Sequence, residues 1–384
     1  MVTGDRPRVR AHAEWRPRPT LEGRDYASDA VYAEERERLF FATWVCIGRA
    51  AEVPEPGAYL VRDLAGESIF VVRNRDGELR AFYNVCAHRG TRILDEEPAC
   101  GQLGRAIKCP YHAWSYDLDG RLLATPNVHE DEAFVRAEYE LHSIAVGEYA
   151  GFLFVNLGDD PQPLVKALLD SNETLTDFER YRLAELRLAR RITYDVAANW
   201  KVVVENYNEC LHCPTIHPEL VHIVPLFRKG DVWDGETRDG GNLMLAGATS
   251  FTATGMSDLP KFPDLLDDDY GMYYGVFQFP NLMVNLHPDS VMTYFVYPNG
   301  PARTTVVSEF YFRPEAIALP GFDPSPTVEL WDLISRQDWK VCERAQLGIS
   351  SRSYKSGVYP SKDRLLFDFN QRWRRAMGRP LADC

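Results

Sequence analysis

The chain has 384 residues and a net charge of −13, from 43 Lys and Arg against 56 Asp and Glu. That length exceeds one small domain, so two domains, each with its own core, are the first expectation. An acidic balance with no basic stripe excludes binding by phosphate neutralisation, and nucleic acid is not an expected partner.

Hydrophobic residues make up 45% and aromatic residues 12%, without low-complexity runs, so the chain should fold throughout apart from its ends. The Arg- and Pro-rich stretch 1–26 has no apolar run of signal-peptide length, and nothing later approaches a membrane span. It reads as a loose basic tail on a cytoplasmic protein. Eight cysteines without a secretion signal read as core residues or metal ligands rather than disulfide partners.

From Val53 to Val155 short strand-like runs alternate with turns at Asp76-Gly77 and Asp119-Gly120, which predicts a compact antiparallel β domain ending at Gly158. Within it, Cys86-Ala-His88 and Cys109-Pro-Tyr-His112 each offer one thiolate and one imidazole. Those ligands suit zinc or iron-sulfur chemistry, and scattered core residues are a third reading. Zinc sites usually pair Cys with Cys and His with His, whereas this pairing lets two Cys hold one iron and two His the other, as in a Rieske 2Fe-2S cluster. Cys100, between the halves, is a bystander.

Past residue 158, helical patterns at 163–181 and 198–212 precede strand-like runs at 273–287, 291–299 and 304–314, and a final helix is predicted from near Pro326 to Gly348. The fold class is α+β: an antiparallel β domain plus a catalytic domain with an antiparallel sheet flanked by helices. Boundaries fall at 1–40 for an N-terminal segment packing on the catalytic domain, 41–157 for the β domain and 158–384 for the second, catalytic domain.

Residues 205–220 hold Glu205, Glu209, His212 and His217. On a helix the first three share one face, with Trp200, Val203, Val204, Tyr207 and Leu211 opposite, and taken alone they could be a solvated charged face. Pro214 and Pro218 imply a break that swings His217 back beside His212. Asp338 interrupts the apolar stripe of Trp331, Ile334, Val341, Cys342 and Ala345, and a core-facing acid needs a cation, either an Arg or a metal. With His212 and His217 it would complete a 2-His-1-carboxylate site for Fe(II). Cys210 and Cys213 could instead suggest a zinc cluster.

The stretches NVCAHRGTRI and CPYHAWSYDLDG resemble the Rieske signature of ring-hydroxylating and related oxygenases, and NWKVVVENYNECLHCPTIHPEL and DWKVCERAQLG are similar to their mononuclear-iron segments. The resemblance covers both domains, with a longer loop at 95–104. It implies an oxygenase subunit holding a Rieske cluster and Fe(II), with O2 as co-substrate, fed with NAD(P)H electrons by a separate flavin and iron-sulfur reductase. It further implies a head-to-tail homotrimer in which Glu209 bridges a neighbouring subunit's Rieske His to an iron-ligating His.

Glu rather than Asp at that bridge is closer to the choline, carnitine and glycine betaine branch, implying a small N-methylated or quaternary ammonium substrate. An aromatic-ring hydroxylase and a non-catalytic Rieske electron carrier are the alternatives. Phe227, Trp233, Phe251, Tyr273, Tyr274, Phe277, Phe279 and Tyr294 are candidate pocket aromatics, most of them expected in the core. No Gly-rich nucleotide fingerprint appears.

Overall fold

The computed structural model describes residues 15–97, 99–126, 134–170, 174–233 and 237–382. Alternating runs in the first half pair into a seven-stranded antiparallel sheet. Its order is Val45–Arg49, Phe152–Asn156, Ser143–Tyr149, Leu79–Tyr83, Glu67–Arg73, Ala58–Leu64, Cys100–Gln102. A second, three-stranded sheet of Ile107–Lys108, Ser115–Tyr116 and Leu122–Ala124 carries the second Cys-His pair. The two half-sites thus hang on separate sheets.

The second half contributes a six-stranded antiparallel sheet in the order Arg187–Val196, Arg303–Phe312, Val291–Gly300, Leu282–Leu286, Met272–Gln278, Asn242–Leu243. Because side chains alternate along a strand, its two faces do different things. Tyr273, Met283, Met292 and Tyr294 join one core with the helices Trp200–Tyr207 and Ser325–Ile349. Val276, Leu282, Val284 and Phe295 join another, against Phe152 and Phe154 of the first sheet. The α+β class and the antiparallel pairing are as expected. Among the described residues, no helix is long and apolar enough to cross a membrane.

Several local expectations are corrected. The helical pattern at 163–181 is a helix only over Leu164–Asp170, followed by 3-10 turns from Thr174 to Tyr181. The Arg-rich strand Arg187–Val196 was not anticipated, because six of its ten positions are exposed and its apolar signal is weak. The helix Ser325–Ile349 passes through Gly348 and is not the last, since Arg364–Ala376 follows. The N-terminal tail reading partly lies outside the described residues, at 1–14. From Trp15 onward the stretch is packed rather than loose: Arg18–Pro19 pairs with Val358–Tyr359, and Trp15 Nε1 donates to the Tyr359 carbonyl at 3.2 Å.

One buried polar knot ties the chain's two ends to the iron-site helix. The fully buried Glu35 carboxylate, at the end of the helix Asp29–Glu35, accepts from Trp200 Nε1 at 3.0 Å, from Trp373 Nε1 at 2.6 Å and from Lys201 Nζ. Lys201 is also fully buried, so removing Glu35 strands an ammonium in the core. We expect Glu35→Ala to cost about 3–5 kcal/mol in chemical denaturation, and adding Lys201→Met to recover much of that. Equal losses in the single and double variants would show that the buried ammonium is not the cause.

Candidate active site and cluster-binding loops

Two tight loops present the Cys-His pairs. In the first, Asn84 Oδ1 accepts from the backbone N–H groups of Ile93 and Leu94 at 3.0 and 2.9 Å, and Cys86 and Thr91 close the turn through a 2.9 Å backbone bond. In the second, the Cys109 N–H donates to the Trp114 carbonyl at 2.8 Å. Cys86 and Cys109 are buried free thiols, while the His88 and His112 rings lie nearer the surface with centroids 4.7 Å apart. His88 also stacks flat on Trp114 at 4.6 Å.

Burial raises the Cys86 thiol, the hydrogen bond with Tyr116 works against it, and the neighbouring Cys109 thiol adds to the rise. Thiols therefore pair with thiols and imidazoles with imidazoles, which fits a cluster whose two irons differ in ligands. A single zinc ion would need all four donors around one point. Among the described residues, the three donors gathered within 4.8 Å of one another are His212, His217 and Asp338 instead. Cys100 is exposed on the edge strand, away from this arrangement.

The helix Trp200–Tyr207 stops before Glu209, so the expected shared face of Glu205, Glu209 and His212 does not form. Glu209 sits in the following turn, where its Oε2 accepts from the Leu211 N–H and, at 3.4 Å, from the His212 N–H. Leu211, placed by pattern on the apolar face, is exposed. Glu205 turns away to the chain ends and accepts from Tyr26 Oη at 2.8 Å and Tyr359 Oη at 3.1 Å. Burial pushes its pKa up to about 7 despite those donors.

The prolines act as expected. Pro214 lies in the first turn of the short helix Cys213–Ile216 and Pro218 begins Pro218–Ile223, leaving His217 between them at φ −122° and ψ 70°. That break sets the His212 and His217 rings 5.0 Å apart. The same fold-back brings the Cα atoms of Cys210 and Cys213 to 4.9 Å, and the two are joined by a disulfide. This corrects the expectation of free cysteines and removes both sulfurs from the pool of zinc ligands.

Asp338 reaches in from the long helix, with Oδ1 2.8 Å from His217 Nε2 and 3.2 Å from His212 Nε2. Its ion partners are these histidines, not an Arg. His212 Nδ1 lies 2.5 Å from Glu209 Oε1 and His217 Nδ1 lies 2.6 Å from Gln337 Oε1. Gln337 Nε2 donates to Glu219 at 3.3 Å, so its oxygen is the group left to accept from His217. Both Nδ1 atoms therefore carry hydrogens, and both Nε2 lone pairs face one carboxylate oxygen.

Three electron-pair donors so close need a positive charge between them. Burial opposes protonation of His212, but hydrogen bonds to Asp338 and Glu209 push its pKa up to about 10. Burial would raise Asp338, yet the hydrogen bonds of His212 and His217 hold it below the usual range. A proton answers that demand in part. A divalent cation fits it fully, and two imidazoles with one carboxylate are the donor set of non-haem Fe(II).

An aromatic wall adjoins Asp338. Tyr294 packs 5.6 Å from Trp339 and hydrogen-bonds Ser335 at 2.6 Å. Phe251 stacks on Trp331 at 4.7 Å, and Tyr273 lies 5.2 Å from Phe251. Of the candidate aromatics, Phe251, Tyr273 and Tyr294 take part, and Phe227 packs edge-on to Tyr273 at 6.0 Å. Tyr274 faces the other side of the sheet with Phe178 and Asp269, and Phe277 and Phe279 pack on Phe369. Trp331, read as core, was missed, although it lies seven residues, two helical turns, before Asp338.

Residues 43–144 match the Rieske [2Fe-2S] domain, and residues 183–379 match the ring-hydroxylating alpha subunit catalytic domain. The chain belongs to the Rieske oxygenase alpha-subunit family. It is 32% identical over 86% of its length to the carnitine monooxygenase oxygenase subunit of Acinetobacter baumannii, covering 85% of that protein. It is 30% identical over 87% of its length to the glycine betaine monooxygenase oxygenase subunit of Chromohalobacter salexigens, covering 80% of that protein. A quaternary ammonium Rieske monooxygenase structure superposes with a TM-score of 0.75 at 25% identity, covering 94% of this chain and 95% of that one. Naphthalene 1,2-dioxygenase from Rhodococcus shares the fold at 19% identity and a TM-score of 0.74, over 92% of this chain and 93% of that one. The protein is an oxidoreductase: the oxygenase subunit of a multicomponent system, carrying a Rieske cluster and non-haem iron and taking electrons from a reductase.

Two outcomes follow from this geometry. Tyr116 Oη accepts from the Ala87 N–H at 3.2 Å, which leaves its hydrogen for Cys86 Sγ at 3.3 Å. Tyr116→Phe should lower the cluster potential by about 40 mV, one hydrogen bond's worth for a one-electron couple, in a spectroelectrochemical titration. For Glu205, a folded pKa of about 7 against an ordinary 4.5 means that the native state holds the proton longer. Its contribution is fully present below pH 4.5 and lost as pH rises through 7, with an upper bound of about 3 kcal/mol. Denaturation midpoints of Glu205→Gln should fall less than those of the parent between pH 5 and 8.

Proposed function

We propose that this oxygenase hydroxylates a small quaternary ammonium or N-methylated compound, with Cys86, His88, Cys109 and His112 holding the Rieske cluster and His212, His217 and Asp338 holding Fe(II). The observation that carries this reading is the convergence of both Nε2 atoms on Asp338 Oδ1 beside a neutral aromatic wall. The cluster supplies single electrons and the iron supplies activation of dioxygen.

The protein's own groups hold and orient. Glu209 and Gln337 lock the tautomers and ring angles of His212 and His217, so the ligating lone pairs are preset. Tyr273 Oη donates to Asn285 Oδ1 at 2.8 Å, and Ser335, whose own hydrogen goes to the Trp331 carbonyl at 2.7 Å, accepts from Tyr294. With their hydroxyls tethered, these rings offer faces, and a quaternary ammonium is attracted to aromatic faces without needing a counter-ion. Hydroxylation at a carbon bonded to nitrogen leaves both heteroatoms on one carbon, which collapses to an amine and a carbonyl.

Glu209 lies in a surface turn next to the exposed Leu211, within hydrogen-bond reach of His212. That position supports its role as the bridge from a neighbouring subunit's Rieske His, in a head-to-tail homotrimer served by a flavin and iron-sulfur reductase using NAD(P)H. Inter-subunit electron transfer is described for the quaternary ammonium monooxygenase to which the chain is similar.

Anaerobically purified protein should hold about three irons and two acid-labile sulfides per chain. Asp338→Ala should lose about one iron and keep the Rieske EPR signal. Glu209→Ala should keep all three yet lose at least about 100-fold in turnover. With a surrogate reductase, betaines should drive oxygen uptake coupled to product, and aromatic acids should not. Coupled turnover of the aromatic acids alone would replace this reading with ring hydroxylation.

A further inference from the structure

The disulfide between Cys210 and Cys213 closes a ring over residues 210–213, with His212 inside it. Glu209 Oε2 accepts from the Leu211 and His212 N–H groups of that ring, and the Cys213 N–H donates to the Cys210 carbonyl at 3.2 Å. The Cys213 carbonyl in turn accepts from the His217 N–H at 2.9 Å. The sulfur pair thus sits in the stretch of backbone that carries both imidazoles and the acid that orients one of them.

Cys213 Sγ lies 3.9 Å from His212 Nε2, the atom that faces Asp338. Imidazole nitrogens stand about 2.0–2.1 Å and thiolate sulfurs about 2.3 Å from a divalent ion such as zinc, so two such ligands on one ion are about 3–4 Å apart. Cys213 Sγ is therefore spaced from His212 Nε2 as a further ligand of the same ion would be. While it is bonded to Cys210 it has no charge to offer, because the ligand form of cysteine is the free thiolate.

We propose that Cys210 and Cys213 are a reversible thiol–disulfide pair that sets the coordination of the metal site: closed, it leaves His212, His217 and Asp338 with open positions for dioxygen, and opened, it adds Cys213 as a fourth protein ligand. Three protein ligands are the pattern of catalytic metal sites, whereas four with a thiolate among them are the pattern of closed ones and suit zinc. The disulfide form is thus the working centre and the dithiol form an idle one. This rests on the reading of His212, His217 and Asp338 as metal ligands and deepens it.

The closing step balances with hydrogen peroxide as oxidant. One thiolate attacks it and breaks the O–O bond, giving a sulfenic acid and hydroxide, and the second displaces another hydroxide to form the S–S bond. The two thiol protons and the two hydroxides make two waters, and the sulfurs have given up two electrons. A dithiol reverses the step by exchange and becomes a disulfide itself. Both cysteines are buried, but Leu211 between them is exposed, so the ring lies at the surface.

The test uses the full-length protein with its Rieske cluster loaded and the mononuclear iron removed by a chelator. One native sample is treated with a phosphine, which carries no thiol, and a second with a slight excess of hydrogen peroxide, and both are desalted. Alkylation in denaturant, read by peptide mass, should label Cys210 and Cys213 in the first sample and neither in the second. Cobalt(II) should bind to both samples, and only the dithiol form should show a thiolate-to-cobalt charge-transfer band in the difference spectrum. Cys213→Ser should lose that band, whereas Cys210→Ser, with Cys213 left free, should show it without any reductant. Should either variant fail to fold, the two parent samples still decide. A pair that the phosphine opens only in denaturant, or one still alkylated after peroxide, would overturn the reversible switch. Cobalt bound to both samples without the band would overturn Cys213 as a ligand and spare the three-donor site. No cobalt bound to either would overturn both readings.

Discussion

Everything at the catalytic centre depends on three lone-pair donors meeting where only a cation can reconcile them. His212 Nε2 and His217 Nε2 both face Asp338 Oδ1, within 3.2 and 2.8 Å. Each ring is aimed by the hydrogen bond that its Nδ1–H donates on the far side, to Glu209 or to Gln337. Electrostatics therefore calls for a positive charge between them, and the outer hydrogen bonds fix how the two rings are held. The long helix that carries Asp338 packs with Trp200–Tyr207, the helix leading into the turn of His212 and His217, on one face of the six-stranded sheet, so the centre is as rigid as its scaffold.

That scaffold is tied together from unexpected places. Glu35 near the start and Trp373 near the end of the chain meet at Trp200 and Lys201, on the helix that leads to Glu209. Tyr26 and Tyr359 close on Glu205 one turn later. The opposite face of the sheet is cemented to the Rieske domain by Phe152, Phe154 and Phe295. The Rieske domain and the candidate iron site thus share one framework, with the sheet as the partition.

The rings beside Asp338 are neutral, and the hydroxyls of Tyr273 and Tyr294 are tethered to Asn285 and Ser335. Among the described residues of this wall, His287, Trp331 and Trp339 each carry a buried ring nitrogen without a hydrogen-bond partner.

The amino-acid sequence by itself determined the ligand types and their grouping: Cys-x-His with Cys-x-x-His, two His separated by proline, and an Asp inside an apolar helical stripe. Those are local signals, set by bonded neighbours and by backbone rules that hold within a turn or two. Even Asp338, 121 residues from His217, was legible, because a carboxylate among core positions advertises a missing positive charge. Tertiary structure alone decided that Glu205 and Glu209 part company and that Cys210 bonds to Cys213. It also decided that Trp331 and His287 stack on Phe251 and that Tyr274 faces the other side of the sheet. Periodicity tells which side chains are buried, but every buried face looks alike in sequence; which core a side chain enters, and what faces it there, is settled only by packing between distant segments.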